Sequence, residues 1–337
     1  MFENLNEKDK NIANTILENS YGVINEDPTS SGSSYVDQVI VPLINYVQKE
    51  NIAKELVGVQ PIDFKEGKVF GFVLKNDSGE VISGMEAMGT FDENFSDIAE
   101  GANLKELVLE LNEEKATVKS RKVKLNYTVE LGQDLKVLKF NMSEEKTKLV
   151  GSEIATAIDF DIVKAIKDHS DYHTPIEYTW DNNKTESYQN PLYELKVAIF
   201  NAAGNIASAT RKGLANFILV PIKLQGVISS MPGFIADPEP KLGPLSKIGK
   251  LGYLNVYINT FDTSSYDMYV GKKPDSEIGA GIIYSPYKIE NFSDVPDVSN
   301  FSVNEALFAR YAITKLKGGN TFYHKVFLTN APTNFPY

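Results

Sequence analysis

The stretch 117–170, TVKSRKVKLNYTVELGQDLKVLKFNMSEEKTKLVGSEIATAIDFDIVKAIKDHS, changes its hydrophobic period part-way along. Val123, Leu125, Tyr127, Val129 and Leu131 alternate with Lys122, Lys124, Asn126, Thr128 and Glu130. Period two over β-formers predicts a half-buried strand over 117–131. From Ser143 the apolar residues Leu149, Val150, Ile154, Ala157, Ile158, Ile162, Val163 and Ile166 recur every three or four positions. That spacing predicts an amphipathic helix from Ser143 to His169, with Ser143 as N-cap and Glu144 and Glu145 set against the helix dipole. At ~1.5 Å per residue it is roughly 40 Å long, more than most globular helices reach. A strand feeding a long amphipathic rod is a scaffold, not an active site.

Working outward, the whole chain has 337 residues, 42% hydrophobic, no cysteine and a net charge of −11. That length allows two domains or one elaborate one, with a real core. Absence of cysteine excludes disulfide staples, zinc–thiolate sites and thiol nucleophiles. A chain this acidic, with arginine only at Arg121, Arg211 and Arg310, is a poor general binder of nucleic acid, because phosphate affinity rests on cation density. No apolar run approaches the ~20 residues of a membrane span, so no membrane is expected. The polar N-terminus MFENLNEKDKNIANTIL is not a signal peptide, and the product is expected in the cytoplasm when made.

The first fifty residues read as an arm outside any compact core: a polar amphipathic helix over 1–20, a linker at 25–34, and a helical pattern over 35–50 in which Pro42 starts or kinks a turn. ELVGVQPI (55–62) is a short apolar run and KVFGFVLKN (68–76) a strand. The Gly-, Ser- and acid-rich segment 77–104 is long for a loop inside a compact domain. Strand character returns at Leu107, Leu109 and Leu111, with a charged break at Asn112–Lys115. Together these form a two-stranded ribbon, marginal alone, which is expected to lie on something outside its own chain. After the long helix, 171–190 is irregular and holds Trp180, the only tryptophan; Asn190–Pro191 opens a second helix. NFILVP (216–221) is a buried strand, 231–249 a proline- and glycine-rich loop, and 253–260, 266–273 and 280–287 are strands. An exposed loop at 294–303 precedes strands 306–316 and 322–330, joined by the hairpin signal Gly318–Gly319–Asn320. The order predicts an α+β fold rather than a doubly wound sheet.

The search for chemistry finds no catalytic, cofactor-binding or metal residues. His169 and His173 have metal spacing only if the helix continues, and a histidine in a last turn complements the dipole. Phosphate-cradling and nucleophile-elbow motifs are absent; GGNT (318–321) and GAG (279–281) are too short to hold a phosphate. Glu113–Glu114 and Glu144–Glu145 read as solvated surface. Lys119, Arg121, Lys122 and Lys124 form a local excess of positive charge. It reads either as a plain exposed strand face or as an anchor for acidic surface on a neighbouring copy. The anchor is preferred, because alternating lysines also guard a strand edge.

At this point the chain resembles the major capsid proteins of T-even-type contractile-tailed bacteriophages. SRKVKLNYTVELGQDL (120–135) followed by SEIATAIDFDIV (152–163) carries the resemblance, with GVQPI (58–62) before it and AGIIYSPY (280–287), FARYAI (308–313) and FYHKVFLTN (322–330) after it, collinear from about residue 40 to 330. The resemblance implies a Hong Kong 97-type fold. Its parts would be an N-terminal arm (1–50), a peripheral domain (51–65 and 118–172, with a spine helix at 143–169), an extended loop reaching onto an adjacent subunit (66–117), an axial domain (173–305) and a peripheral return (306–337). It also implies N-terminal maturation cleavage after an Ile/Leu-x-Glu pattern. Ile16-Leu17-Glu18 matches that pattern and makes Glu18 the candidate, although a helix face explains Ile16 and Leu17 equally well.

The function implied is self-assembly of a homo-oligomer into the icosahedral head of a tailed double-stranded DNA phage. The chain would act as a structural virion protein, assembled in the host cytoplasm, enclosing DNA without sequence-specific contacts. Hexameric capsomers are expected, with pentamers or a separate vertex protein open at the corners, and a portal and scaffold as further partners. The alternatives are an encapsulin-like compartment shell and a soluble α+β enzyme using carboxylates.

Overall fold

The computed structural model describes residues 5–24, 40–76, 81–84, 107–139, 142–181, 191–210, 212–240, 243–273, 279–293 and 302–330. The expected linker 25–34, residues 85–104, Asn190 and most of the loop 294–303 lie outside them. In chain order the elements begin with helices α1 (Glu7–Ile24) and α2 (Val41–Glu50), then strands β1 (Gly58–Val59), β2 (Glu66–Asn76), β3 (Val81–Gly84), β4 (Leu107–Thr117) and β5 (Lys119–Thr128). Helices α3 (Val129–Val137) and α4 (Met142–Asp168) lead through β6 (Ile176–Thr179) to α5 (Pro191–Thr210), β7 (Phe217–Pro221) and the short α6 (Gln225–Ser229). The last strands are β8 (Phe234–Ala236), β9 (Leu245–Leu251), β10 (Leu254–Asn259), β11 (Asp267–Gly271), β12 (Ile282–Ser293), β13 (Ser302–Lys315) and β14 (Tyr323–Thr329).

They build three sheets. One orders β1-β12-β13-β5, the second β6-β14-β11-β7-β10-β9-β8, and the third is the ribbon β3-β2-β4. The rod α4 buries Val150, Ile154, Ile158, Ile162, Val163 and Ile166, as its spacing requires. It packs on α2, where Gly151 lies so close to the Tyr46 ring that a Cβ would sit 2.6 Å from it. Alternation along β7 and β10 splits the large sheet cleanly. Phe217, Leu219 and Tyr257 join the core under α4, and Ile218, Val220, Val256 and Ile258 join a second core under α5. Both faces of β7 are therefore buried, which explains its unbroken apolar run.

Several expectations change. The opening strand stops at Thr128, whose Oγ1 accepts the Leu131 N–H (3.3 Å) and caps α3. Val129 and Leu131 are thereby helical and exposed, not on a buried strand face. The spine begins at Met142 and ends at Asp168, so Ser143 lies inside its first turn. The charged run Asn112–Lys115 does not break β4, because carboxylates and amines face across the ribbon: Glu66 meets Lys115 at 2.9 Å and Glu113 meets Lys68. Part of the expected loop 77–104 is the strand β3, and the loop 231–249 contains β8 and the start of β9.

The N-terminal helices are not outside the core. Ile12, Ala13, Ile16 and Leu17 of α1 and Leu43, Ile44 and Val47 of α2 are buried with the spine residues. Gly318–Gly319–Asn320 is not a hairpin turn, since β13 and β14 belong to different sheets. Gly318 takes φ 73°, and a Cβ on Gly319 would sit 2.1 Å from the Gly281 carbonyl oxygen. These glycines serve a close backbone crossing. β12, grouped by sequence with 173–305, joins the α4-side sheet, and β14, grouped with 306–337, joins the large sheet.

Candidate assembly surface

β5 is the last strand of its sheet, paired on one side with β13. Val123 and Leu125 pack against the core and Tyr127 is half-buried, while Lys119, Lys122 and Lys124 are exposed. The Lys122 ammonium lies 5.4 Å from the Phe308 ring centroid. Arg121 differs from the other three. Its Nε donates to Asp161 on α4 (2.9 Å), its Nη2 to the other oxygen of the same carboxylate, and the Tyr311 hydroxyl donates to Asp161 as well (2.6 Å). This ion pair raises the Arg121 pKa and ties the edge strand to the spine. Between β5 and α4 runs a cleft of about 450 Å³ lined by Lys119, Arg121, Asp161, Lys164, Asp168 and His169, among others. The His169 pKa is lowered by burial and then by Lys315.

The ribbon β2–β4 pairs from Glu66↔Thr117 to Asn76↔Leu107, eleven residues on each strand. At about 3.3 Å per residue it extends roughly 35 Å. Its base is clamped by Gln60, which donates to the Phe70 carbonyl (3.0 Å) and accepts the Phe70 N–H (3.1 Å). Sequence reading missed Gln60, and its only signal was a place in the GVQPI match.

A polar junction surrounds the turn 51–55. Asp159, buried on α4, accepts the Ala53 N–H (3.0 Å), and burial pushes its carboxyl pKa up to about 7. Lys54 reaches Asp9 of α1 (2.8 Å), and Glu55 accepts the Tyr257 hydroxyl of β10 (2.7 Å). Lys273 donates to the Lys54 carbonyl (2.8 Å), and burial lowers its pKa to about 8. Sequence gave no sign of this cluster, whose members are drawn from distant parts of the chain. At the start of the spine, Lys146 donates to Glu305 of β13 (2.8 Å), which also accepts from Asn291 of β12 (2.8 Å).

His169 and His173 do not converge. His173 instead stacks on the buried His324 with centroids 4.8 Å apart. Among the described residues, no group of three or more His, Cys, Asp or Glu could hold a metal ion. Of the carboxylate pairs, Glu113 meets Lys68 and Glu145 meets Lys148 (2.9 Å). Glu18 is exposed on α1, but Ile16 and Leu17 before it are buried. The next residues are anchored, Asn19 to the Ile62 and Tyr287 carbonyls (both 2.9 Å) and Ser20 to that of Ile289 (2.9 Å). A protease needs extended chain, so it would reach Glu18 only after α1 leaves the core.

These features are exposed edges and internal ties, and comparison with known proteins supplies the family. The family model for Major capsid protein Gp23 matches residues 80–330. The major capsid protein of Enterobacteria phage T4 is 24% identical over 276 residues, covering 70% of this chain and 50% of the relative. That of Vibrio phage KVP40 is 22% identical over 260 residues, covering 67% and 47%. The chain thus spans about half the length of the curated relatives it matches. A phage-related protein from Bordetella bronchiseptica RB50 superposes with a TM-score of 0.50 at 12% identity, over 86% of this chain and 97% of that one, which shows a shared fold. A chain from the capsid structure of cyanophage P-SCSP1u gives a TM-score of 0.49 at 10% identity, over 83% and 89%. With the family model matching most of its length, the chain belongs to the Gp23 family of major capsid proteins.

Proposed function

We propose that copies of this chain self-assemble into the icosahedral head of a tailed, double-stranded DNA bacteriophage, as a structural protein without catalytic activity. The family match over 80–330 carries this reading. In it the fold is of the Hong Kong 97 type. The α4 side is the peripheral domain, the large sheet with α5 is the axial domain around each capsomer centre, and the ribbon 66–117 is the extended loop laid on an adjacent subunit. The N-terminal segment is an arm that, in the conformation described, is folded onto its own core. Rings form by head-to-tail contacts that close by rotation. Because each copy engages several neighbours, individual contacts can be modest.

The β5 edge supports a contact role for Lys119, Lys122 and Lys124, which are exposed in a chain of net charge −11. Arg121 then acts indirectly, by fixing the strand to α4. Assembly takes place in the host cytoplasm, and the product is the virion capsid, with portal and scaffold as partners. The matched relatives are phage proteins, so the compartment-shell alternative has no observation in its favour.

Size-exclusion chromatography with negative-stain microscopy tests the reading. Closed shells or six-membered rings are the expected result. A stable monomer in which 77–104 resists protease would overturn it, because that segment would then be a packed part of a self-sufficient domain. Within the assembly, Lys122→Glu combined with Lys124→Glu should leave folding unchanged by circular dichroism and reduce the yield of particles.

A further inference from the structure

The cleft between β5 and α4 has the chemistry of a receptor for carboxylates. Val123 and Leu125 of β5 pack against the core, and the same face of the strand, continued toward its start, carries Arg121 and Lys119 to the cleft. The half-buried Ala165 and Ile313 give it an apolar floor. Asp161 is engaged by Arg121 and Tyr311, which leaves Asp168 as the other acid in the lining. Against it stand Lys119 and Lys164, with Lys315 close enough to His169 to lower its pKa, and Lys122 and Lys124 further along the exposed strand. Among the described residues, Arg121 is paired with a carboxylate, and Lys119, Lys122, Lys124 and Lys164 are not. Amines gathered without counter-charges repel one another, so an anionic partner is favoured there.

The chain itself carries the complementary group. Residues 77–104 hold seven Asp or Glu and no Lys or Arg, a charge of −7 within a total of −11. In FDENFSD (91–97) aromatic and acidic residues adjoin, which matches an apolar floor rimmed by amines. The ribbon decides whose cleft receives the segment. β4 ends at Thr117 and β5 begins at Lys119, so the base of the ribbon lies beside its own cleft. The acidic segment joins the opposite end, between Asn76 and Leu107, roughly 35 Å along the strands. Each copy therefore carries its acids away from its own cleft and toward that of a neighbour. Exposed ion pairs are individually weak, and the contact gains strength from the number of charges and from repetition around a shell.

We propose that the cleft between β5 and α4 binds the acidic segment 77–104 of a second copy, with Lys119 and Lys164 meeting its carboxylates. The proposal rests on the shell reading above, which lays the ribbon on an adjacent subunit, and adds the place where its far end is held. Particles are assembled from equal parts of ordinary and heavy-nitrogen chain, treated with a zero-length carbodiimide that joins touching amines and carboxylates, and digested with trypsin. The segment is released as one peptide, because 76–104 contains no lysine or arginine. Mass spectrometry should find this peptide joined to Lys119 or Lys164, with about half of the pairs combining one light and one heavy partner. Pairs of a single isotope only would mean that each chain fills its own cleft, and would overturn the second copy as occupant. A segment joined only to other lysines, or to none, would overturn the cleft as its site and leave the shell reading intact. Failure of the chain to form any particle would overturn both. As a second readout, Lys119→Glu combined with Lys164→Glu should leave the circular dichroism unchanged and lower particle yield several-fold; an unchanged yield would count against the contact.

Discussion

Asp159 shows how far a single residue can depend on distant chain. Its carboxyl is buried in α4 and accepts an N–H from Ala53, 106 residues earlier. Burial raises its pKa to about 7 from an ordinary value of 3.8. Between those pH values the folded chain holds a proton that the unfolded chain has released. Stability is therefore lost as pH rises toward 7, on the order of 4 kcal/mol for a shift of that size. Asp159→Asn keeps an oxygen acceptor and removes the titration. The variant should exceed the parent in denaturant midpoint at pH 8 and converge with it near pH 4, by urea titration followed through the buried Trp180. His324 works in the opposite direction. Burial lowers its pKa, and the stacked His173 adds to this. Its contribution is complete above about pH 6.5 and is lost as pH falls below that value. Its NMR titration midpoint should lie under that of a free imidazole. Neither effect was legible in sequence. The helical period placed Ile158 and Ile162 inside, but no pattern reveals that a neighbouring Asp will meet a backbone amide from another element.

Among the elements, the long helix was the most legible, because its period persists over seven turns and no alternative strand register fits. α3 was not. LNYTVEL alternates well enough to read as strand, and a single threonine cap decides otherwise. The N-terminal helix was misplaced for a different reason. Its composition is polar, yet Ile12, Ala13, Ile16 and Leu17 form a narrow stripe that is wholly buried. Ile16→Ala should therefore cost about 3 kcal/mol, as a large-to-small change in a packed core does, measured by chemical denaturation; an arm free of the core would show almost no change. The ribbon behaves as an exposed element. Glu66 and Lys115 are each about two-thirds exposed, and such pairs are screened by solvent. Lys115→Ala should leave the denaturation midpoint of the chain unmoved.

For the whole molecule, the mixed α+β character followed from the order of elements, and the family followed from an ordered set of short matches. Sheet membership did not follow. Two glycines and an asparagine between strands 306–316 and 322–330 are consistent with a hairpin or with a crossing, and the separate sheets of β13 and β14, with the close approach of Gly281 and Gly319, distinguish them. The same limit applies to the ribbon, whose pairing is local but whose resting place is not. Deleting residues 77–104 should leave a chain that folds with the same Trp180 environment and forms no stable particles. Normal particles from that deletion would remove the ribbon from the assembly scheme. The crossing at Gly281 and Gly319 has a mechanical consequence. β12 and β13 lie in one sheet while the strand that directly follows them lies in the other, and main chain touches main chain where they pass. Stress applied to the large sheet would pass at this point through stiff backbone, not through side chains, into the sheet that backs the long helix.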